Sequence, residues 1–148
     1  MDMLKLADEL EYEEGNVAHV YQDHLGFWTI GIGFLVDKRK GGKLYPEEIA
    51  FIFQNRMNKK YEELDQRIPW FHRLDDARQR VLMQMAYQMG TDGLLGFVNT
   101  LKMVEAGDYQ GAAKGMLNSK WAKQTPDRAR RLSKMMETGV PPAEYGTA

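Results

Sequence analysis

The sequence predicts an α+β fold in which a small β-hairpin lobe and a larger all-helical lobe are joined by one long helix, with a cleft between the lobes. Three observations lead to this prediction. β-branched and aromatic residues are concentrated between residues 17 and 35, as is typical of strands. Apolar residues recur at helical spacing on both sides of that segment. Strands and helices therefore occupy separate regions of the chain.

The chain of 148 residues is long enough for one well-buried core and too short for two typical independent domains. We therefore expect one domain over 1–148, with lobes at about 14–57 and 58–140. The first helix is predicted to pack with the second lobe, and residues 140–148 are predicted to form a loose tail. A hydrophobic fraction of 43% without any long apolar run argues against both a disordered chain and stable membrane insertion.

Cysteine and histidine usage limits the chemistry. The chain has no cysteine, which excludes a disulfide framework and a thiolate nucleophile. The three histidines are widely spaced, so we expect neither a metal site nor a cofactor.

The net charge of −1 hides an acidic segment at 1–37 and a basic one at 114–134. The basic segment is read either as a solvated helix face or as a surface that attracts an anionic polymer.

The first half of the chain predicts two helices around the hairpin. A first helix spans 3–13 and stops at Gly15, a residue that accommodates a left-handed backbone. The hairpin follows at 17–35, with its turn at 24–26. Pro46 and two glutamates then open a long helix over about 46–66, because proline and acidic residues suit a first helical turn.

The second half predicts only helices. Asp75 is the expected N-cap of a central helix whose apolar stripe stops at Gly90. Short helices follow at about 97–106 and 108–117, then a connection through Trp121. A basic helix opened by Pro126 and closed by Gly139 completes the predicted lobe.

Candidate catalytic groups lie around the hairpin. Glu14 ends the first helix, Asp23 lies at the hairpin turn, and Thr29 lies in the returning strand. Two carboxylates and a hydroxyl on adjoining elements are what glycosidic hydrolysis requires: an acid for the leaving oxygen, a carboxylate for water, and a group that holds the water. By spacing alone, ordinary acids at a helix end and a turn are the more common explanation.

Three motifs make the sequence resemble the phage-type lysozymes, the T-even phage lysozyme type of glycoside hydrolase family 24. EEG, VYQD and GFWTIGIGFL lie within 13–35, DDARQRVLMQMAYQMGTDGLLGFVNTL lies at 75–101, and NSKWAKQTPDRARRL lies at 118–132. The motifs follow the family's order, and the resemblance covers roughly 4–139.

The resemblance implies roles for individual residues. Glu14 matches the general acid, Asp23 the carboxylate that activates water, and Thr29 the hydroxyl that positions it. Arg128 matches an arginine that faces the catalytic glutamate, and Trp121 matches a supporting tryptophan whose indole N–H needs a partner. The substrate contacts implied in the same way are Leu35, Tyr87, Gln88 and Thr100, with Gln88 also the candidate partner of the indole.

The sequence departs from the family at several places. Phe34 stands where many relatives have a histidine, and Arg56 stands where they have its aspartate partner. Because both partners are changed together, no stranded charge is expected. The segment at 36–45 is shorter than in the T-even enzyme, and Gly115 replaces a polar residue of some relatives.

The resemblance implies an endolysin that hydrolyses the β-1,4 bond between N-acetylmuramic acid and N-acetylglucosamine in peptidoglycan, by inversion, for host cell lysis. It would be a monomer that stays in the host cytoplasm until a holin gives it access to the periplasm, or alternatively part of a virion tail. A lytic transglycosylase and a non-catalytic wall-binding module remain the rivals. No nucleic-acid motif accompanies the basic helix, so nucleic acid is not an expected partner.

Overall fold

The computed structural model describes residues 1–15, 17–22, 28–31, 34–35 and 44–147, and in the three strands at 17–22, 28–31 and 34–35 it describes only the backbone. Among the described residues, no helix is both long enough and apolar enough to cross a membrane. The α-helices are α1 (Met3–Glu14), α2 (Pro46–Arg67), α3 (Asp76–Leu95), α4 (Val98–Glu105), α5 (Tyr109–Leu117), α6 (Lys120–Gln124) and α7 (Pro126–Thr138). The strands are β1 (Val17–Gln22), β2 (Trp28–Gly31) and β3 (Phe34–Leu35), and short 3₁₀ turns lie at Phe71–Arg73 and Ala143–Tyr145.

The prediction of an α+β fold with a β-hairpin lobe is wrong. The described chain is mainly helical, with α2 and α3 alone holding 22 and 20 residues, whereas the strands hold six, four and two. These strands form a single antiparallel sheet in the order β1-β2-β3 rather than a two-stranded hairpin. The second predicted strand divides after Gly31, consistent with the weakening effect of glycine in strands.

The chain divides into two compact units, one of Met3–Lys59 and one of Met1–Asp2 with Lys60–Ala148. That the first helix packs with the second lobe stays a prediction. Within the first unit, α1 and α2 line a common apolar cavity. Met3 and Ala7 of α1 line the same cavity of about 300 Å³ as Ile49 and Phe53 of α2, and Ile49 and Phe53 are both buried.

The core of the second unit is built on α3. Val81, Leu82, Met83 and Met85 of this helix are at most 1% exposed. Methionines of α5 and α7 complete the core, and the fully buried ones are Met116, Met135 and Met136. These methionines fill the helical core, as expected for a flexible and polarizable side chain.

Helix ends follow the chemistry predicted from the sequence. Asp75 caps α3, accepting a hydrogen bond from the backbone N–H of Arg78 at 3.1 Å. Gly15 follows α1 with a φ of 74°, and Gly139 ends α7 with a φ of 73°. The predicted Trp121 connection is itself a short helix, α6, capped by Ser119.

Arg78 links three helices of the second unit, a contact that the sequence did not reveal. Its Nε donates to the carbonyl of Met136 at 2.7 Å, and its Nη2 donates to that of Glu137 at 2.9 Å. The guanidinium also lies 3.5 Å from the ring centroid of Tyr109. Arg78 therefore satisfies carbonyls at the end of α7, where a cation is favoured.

The tail is not loose, contrary to the prediction. Tyr145 and Thr147 are only 5% and 4% exposed, and Glu144 lies 3.4 Å from Arg130. Burial of the tyrosine ring removes apolar surface from water and fixes the segment against its unit. The prolines of the tail mark the beginning of this packed segment, at Pro141 and Pro142.

Candidate active site

Glu14 is the last residue of α1 and is half-buried. The helix ends there because Gly15 adopts a positive φ and donates its N–H to the carbonyl of Glu11 at 2.8 Å. The chain enters β1 at Val17. The predicted acid is thus placed at a helix end by a glycine, next to the sheet.

Thr29 lies on the central strand of the sheet. Its Cα pairs with that of Tyr21 on β1 and with that of Leu35 on β3. Thr29 and Leu35, both predicted to belong to the site, are therefore neighbours on adjacent strands. Asp23 follows β1 in the sequence and lies outside the described residues.

Gln88 and Trp121 form the best-defined polar contact among the predicted site residues. The indole Nε1–H of Trp121 donates to the Oε1 of Gln88 at 2.8 Å. Trp121 is 8% exposed, and its ring meets that of Phe97 edge to face, with centroids 6.1 Å apart. The predicted pairing of Gln88 with the indole is confirmed, and it supplies the partner that a buried indole N–H needs.

Replacement of Trp121 by phenylalanine is expected to lower the free energy of unfolding by about 1 kcal/mol, because Gln88 loses its donor. The substitution Gln88→Leu removes the other partner. In a denaturant-unfolding double-mutant cycle, the double variant is expected to lose less than the sum of the single losses. Additive losses would mean that the hydrogen bond contributes nothing to stability.

Thr100 and Tyr87 occupy different environments. Tyr87 is half-buried on α3, whereas Thr100 on α4 is 6% exposed. A Cβ built on Gly115 of α5 would lie 2.6 Å from the Oγ1 of Thr100. The glycine that departs from the family pattern is therefore explained by the close approach of α4 and α5.

Arg128 lies in the first turn of α7 and is 8% exposed. It differs in this from the exposed bases of the same region, of which Arg130 is paired with Glu144 and Lys134 with Glu137. A buried guanidinium is far less common than a solvated one. The burial of Arg128 thus separates it from the basic surface.

No cluster of three or more potential metal ligands is found among the described residues.

The sequence matches the model of one protein family, described as phage lysozyme, over residues 11–136. The chain belongs to the phage lysozyme family. The matched range contains the motifs on which the resemblance was based, and family membership makes the chain a lysozyme, a glycoside hydrolase, as predicted.

Relatives of this lysozyme occur both as separate proteins and as parts of larger ones. It is 30% identical to the probable T4-type lysozyme 1 of Dictyostelium discoideum, over 91% of this chain and 95% of that protein. It is 28% identical to the pre-baseplate central spike protein Gp5 of Enterobacteria phage T4, over 92% of this chain and 28% of the spike protein. It is 29% identical to the peptidoglycan hydrolase gp36 of Pseudomonas phage phiKMV, over 91% of this chain and 15% of that hydrolase.

Proposed function

We propose that this lysozyme hydrolyses the β-1,4 bond between N-acetylmuramic acid and N-acetylglucosamine in bacterial peptidoglycan, with inversion at the anomeric carbon. One observation carries the proposal: the family match over 11–136 includes Glu14, Asp23 and Thr29 together. A relative named as a peptidoglycan hydrolase supports the choice of polymer.

In the proposed mechanism Glu14 donates a proton to the departing glycosidic oxygen. Asp23 removes a proton from a water molecule as that water attacks the anomeric carbon, and Thr29 holds the water in place. An inverting site needs room for this water, which separates its two carboxyl groups by about 6.5 to 9.5 Å. A direct carboxylate nucleophile would require only about 5 to 5.5 Å.

The remaining predicted residues are assigned to positioning. Leu35, Tyr87, Gln88 and Thr100 are proposed to contact the glycan, and Arg128 is proposed to hold the acid in its working orientation through a charge-assisted hydrogen bond. Trp121 supports this arrangement by fixing Gln88 through the 2.8 Å hydrogen bond.

The biological setting follows from the same chemistry. As an endolysin, the protein would act as a monomer in host cell lysis and stay in the host cytoplasm until a holin opens a route to the periplasm. As a virion component, it would be delivered with the tail. The similarity to a phage spike protein supports this virion setting as the alternative.

Two rivals for the reaction are distinguished by the same residues. A lytic transglycosylase cleaves the same bond by closing the muramic ring, for which an acid is enough. A wall-binding module needs no catalytic carboxylate at all. The presence of Asp23 and Thr29 in addition to Glu14 favours hydrolysis, because only hydrolysis uses a held water.

Product analysis tests the mechanism. Early digests of purified peptidoglycan are expected to contain α-configured reducing ends, seen by proton NMR, with masses that include the added water. Predominantly anhydro products, each lighter by one water in mass spectrometry, would overturn hydrolysis. β-configured reducing ends would overturn inversion and leave a retaining lysozyme. A folded protein that releases no product would be a binding module.

A further inference from the structure

A shallow groove on the second unit lies between the end of α2 and the start of α4. Its volume is about 200 Å³. We call it the Trp70 groove, and the residues that matter to its chemistry are Arg67, Trp70, Val98, Leu101, Lys102 and Glu105. Glu14 and Thr29 belong to the other unit, Met3–Lys59, and Asp23 lies outside the described residues. The groove is therefore not built from the proposed catalytic residues.

Trp70 is held in place as a half-exposed platform. It follows Pro69, which restricts the backbone, and precedes a 3₁₀ turn that begins at Phe71. Its neighbours Ile68 and Phe71 are only 3% and 0% exposed, so the segment is anchored on both sides of the ring. The indole N–H makes no hydrogen bond with any residue in the described part of the chain.

Two apolar residues of α4 also line the groove. Val98 is 54% exposed and Leu101 is 9% exposed. An aromatic ring and an exposed valine lining one concave surface are typical of an interaction site rather than of scattered surface residues. The groove is thus lined by one indole and by a small apolar patch of α4.

Charged groups at the rim balance one another. Arg67 is already paired, with its Nη2 3.1 Å from the Oδ1 of Asp92. Lys102 and Glu105 are exposed on α4, three residues apart, and neither makes an ion pair with another described residue. The rim therefore offers both hydrogen-bond donors and acceptors without a net excess of either charge.

We propose that the Trp70 groove binds one N-acetylated sugar residue of a peptidoglycan strand, at a second site outside the catalytic residues. The proposal rests on the proposed function, because that function supplies the polymer. The apolar face of a pyranose ring lies flat against an indole, an N-acetyl methyl group fits a small apolar wall, and hydroxyl and amide groups pair with both Lys102 and Glu105. A polyanion would instead need an excess of positive charge.

A second binding site for the same strand raises the local concentration of substrate at the catalytic site. Once one stretch of an insoluble strand is held in the groove, binding of another stretch in the catalytic site becomes an intramolecular event. The groove is therefore expected to increase affinity for intact sacculi and to leave the cleavage of short soluble fragments unchanged. This difference separates a binding role from a structural one.

The test measures co-sedimentation with purified peptidoglycan sacculi in a Glu14→Gln background, which prevents digestion. Trp70→Ala and Val98→Asp are each expected to raise the half-saturating sacculus concentration about tenfold, an order-of-magnitude figure for losing one of two linked contacts. Val140→Asp is the matched control, since Val140 is 57% exposed and lies outside the groove. The effect is expected to persist at high salt, because the rim has no excess charge.

The same groove substitutions are then made without Glu14→Gln, and the rate at which these variants cleave a soluble peptidoglycan tetrasaccharide is measured. Unchanged turnover by Trp70→Ala and Val98→Asp supports a separate binding site. Wild-type binding to sacculi by folded Val98→Asp would overturn the proposal, even if Trp70→Ala fails to fold. A difference between the groove variants and the parent that disappears at high salt would assign the groove to a polyanion instead. If the parent protein cleaves neither substrate, the proposed function fails, while sedimentation still reports on the groove.

Discussion

Glu14→Gln is expected to lower the rate of lysis of permeabilised Gram-negative cells by roughly 10²- to 10⁴-fold while leaving the fold intact. An amide cannot donate the proton that the departing sugar oxygen needs, and general acid catalysis contributes about this much to a rate. The change keeps the shape of the side chain at the half-buried end of α1. The melting temperature is therefore expected to change far less than the rate, and turbidity and circular dichroism measure the two.

Glu13→Gln is the matched control for this substitution. Glu13 precedes Glu14 on the same helix and is also half-buried, so both variants remove one charge from the same place. The control is expected to change the rate by about twofold at most, as is usual for substitutions without a specific role. Glu14→Gln protein that is folded and retains more than about a tenth of the parent rate would remove Glu14 from the role of general acid.

The helix ends were predictable because they depend on local chemistry. Asp75 caps α3 with its own side chain, and Gly139 ends α7 with a positive φ, both readable from single residue types. The family assignment was predictable for a related reason. The motifs at 13–35, 75–101 and 118–132 keep their order, and the family match over 11–136 spans all three.

The class of the fold depended on pairing that local patterns do not specify. Phe34 and Leu35 read as the end of one strand, yet they form β3 and pair with Ile30 and Thr29 of β2. Pairing and register arise from contacts between strands, whereas composition reports only that a segment suits a sheet. Burial of Tyr145 in the tail was equally hidden, since burial depends on how the chain packs and not on the local residue pattern.

The site was predictable in part. The hydrogen bond between Trp121 and Gln88 followed from the resemblance together with the need of a buried indole for a partner. The closeness of Thr100 to Gly115 did not follow, because it depends on how closely α4 and α5 pack. The Trp70 groove was also missed. Trp70 lies between two predicted helices, where the apolar periodicity that identified the core is interrupted.

Gly90 interrupts α3 and controls the path of the chain just after Gln88. Its φ of 80° and ψ of 161° lie in a region that is essentially restricted to glycine. A Cβ built there would meet no atom within 4 Å, so a clash is not the reason for the glycine. After the interruption Thr91 is buried, and its Oγ1 accepts a hydrogen bond from the Nζ of Lys60 at 3.2 Å.

Gly90→Ala is therefore expected to lower the free energy of unfolding by about 1 to 3 kcal/mol, the usual cost of forcing a side chain into such a backbone conformation. Thermal unfolding would then begin several degrees lower in a chain of this size. Gly96→Ala is the control for backbone conformation, because Gly96 has a φ of −65° and a ψ of −18°, which any residue adopts. Its added Cβ would lie 3.2 Å from the carbonyl oxygen of Gly93, so a smaller loss than at Gly90 is expected there. If Gly90→Ala melts at the parent temperature, the interruption of α3 does not constrain the backbone at this position. If it melts lower and lysis falls further than the folded fraction accounts for, the interruption also positions Gln88 for the substrate.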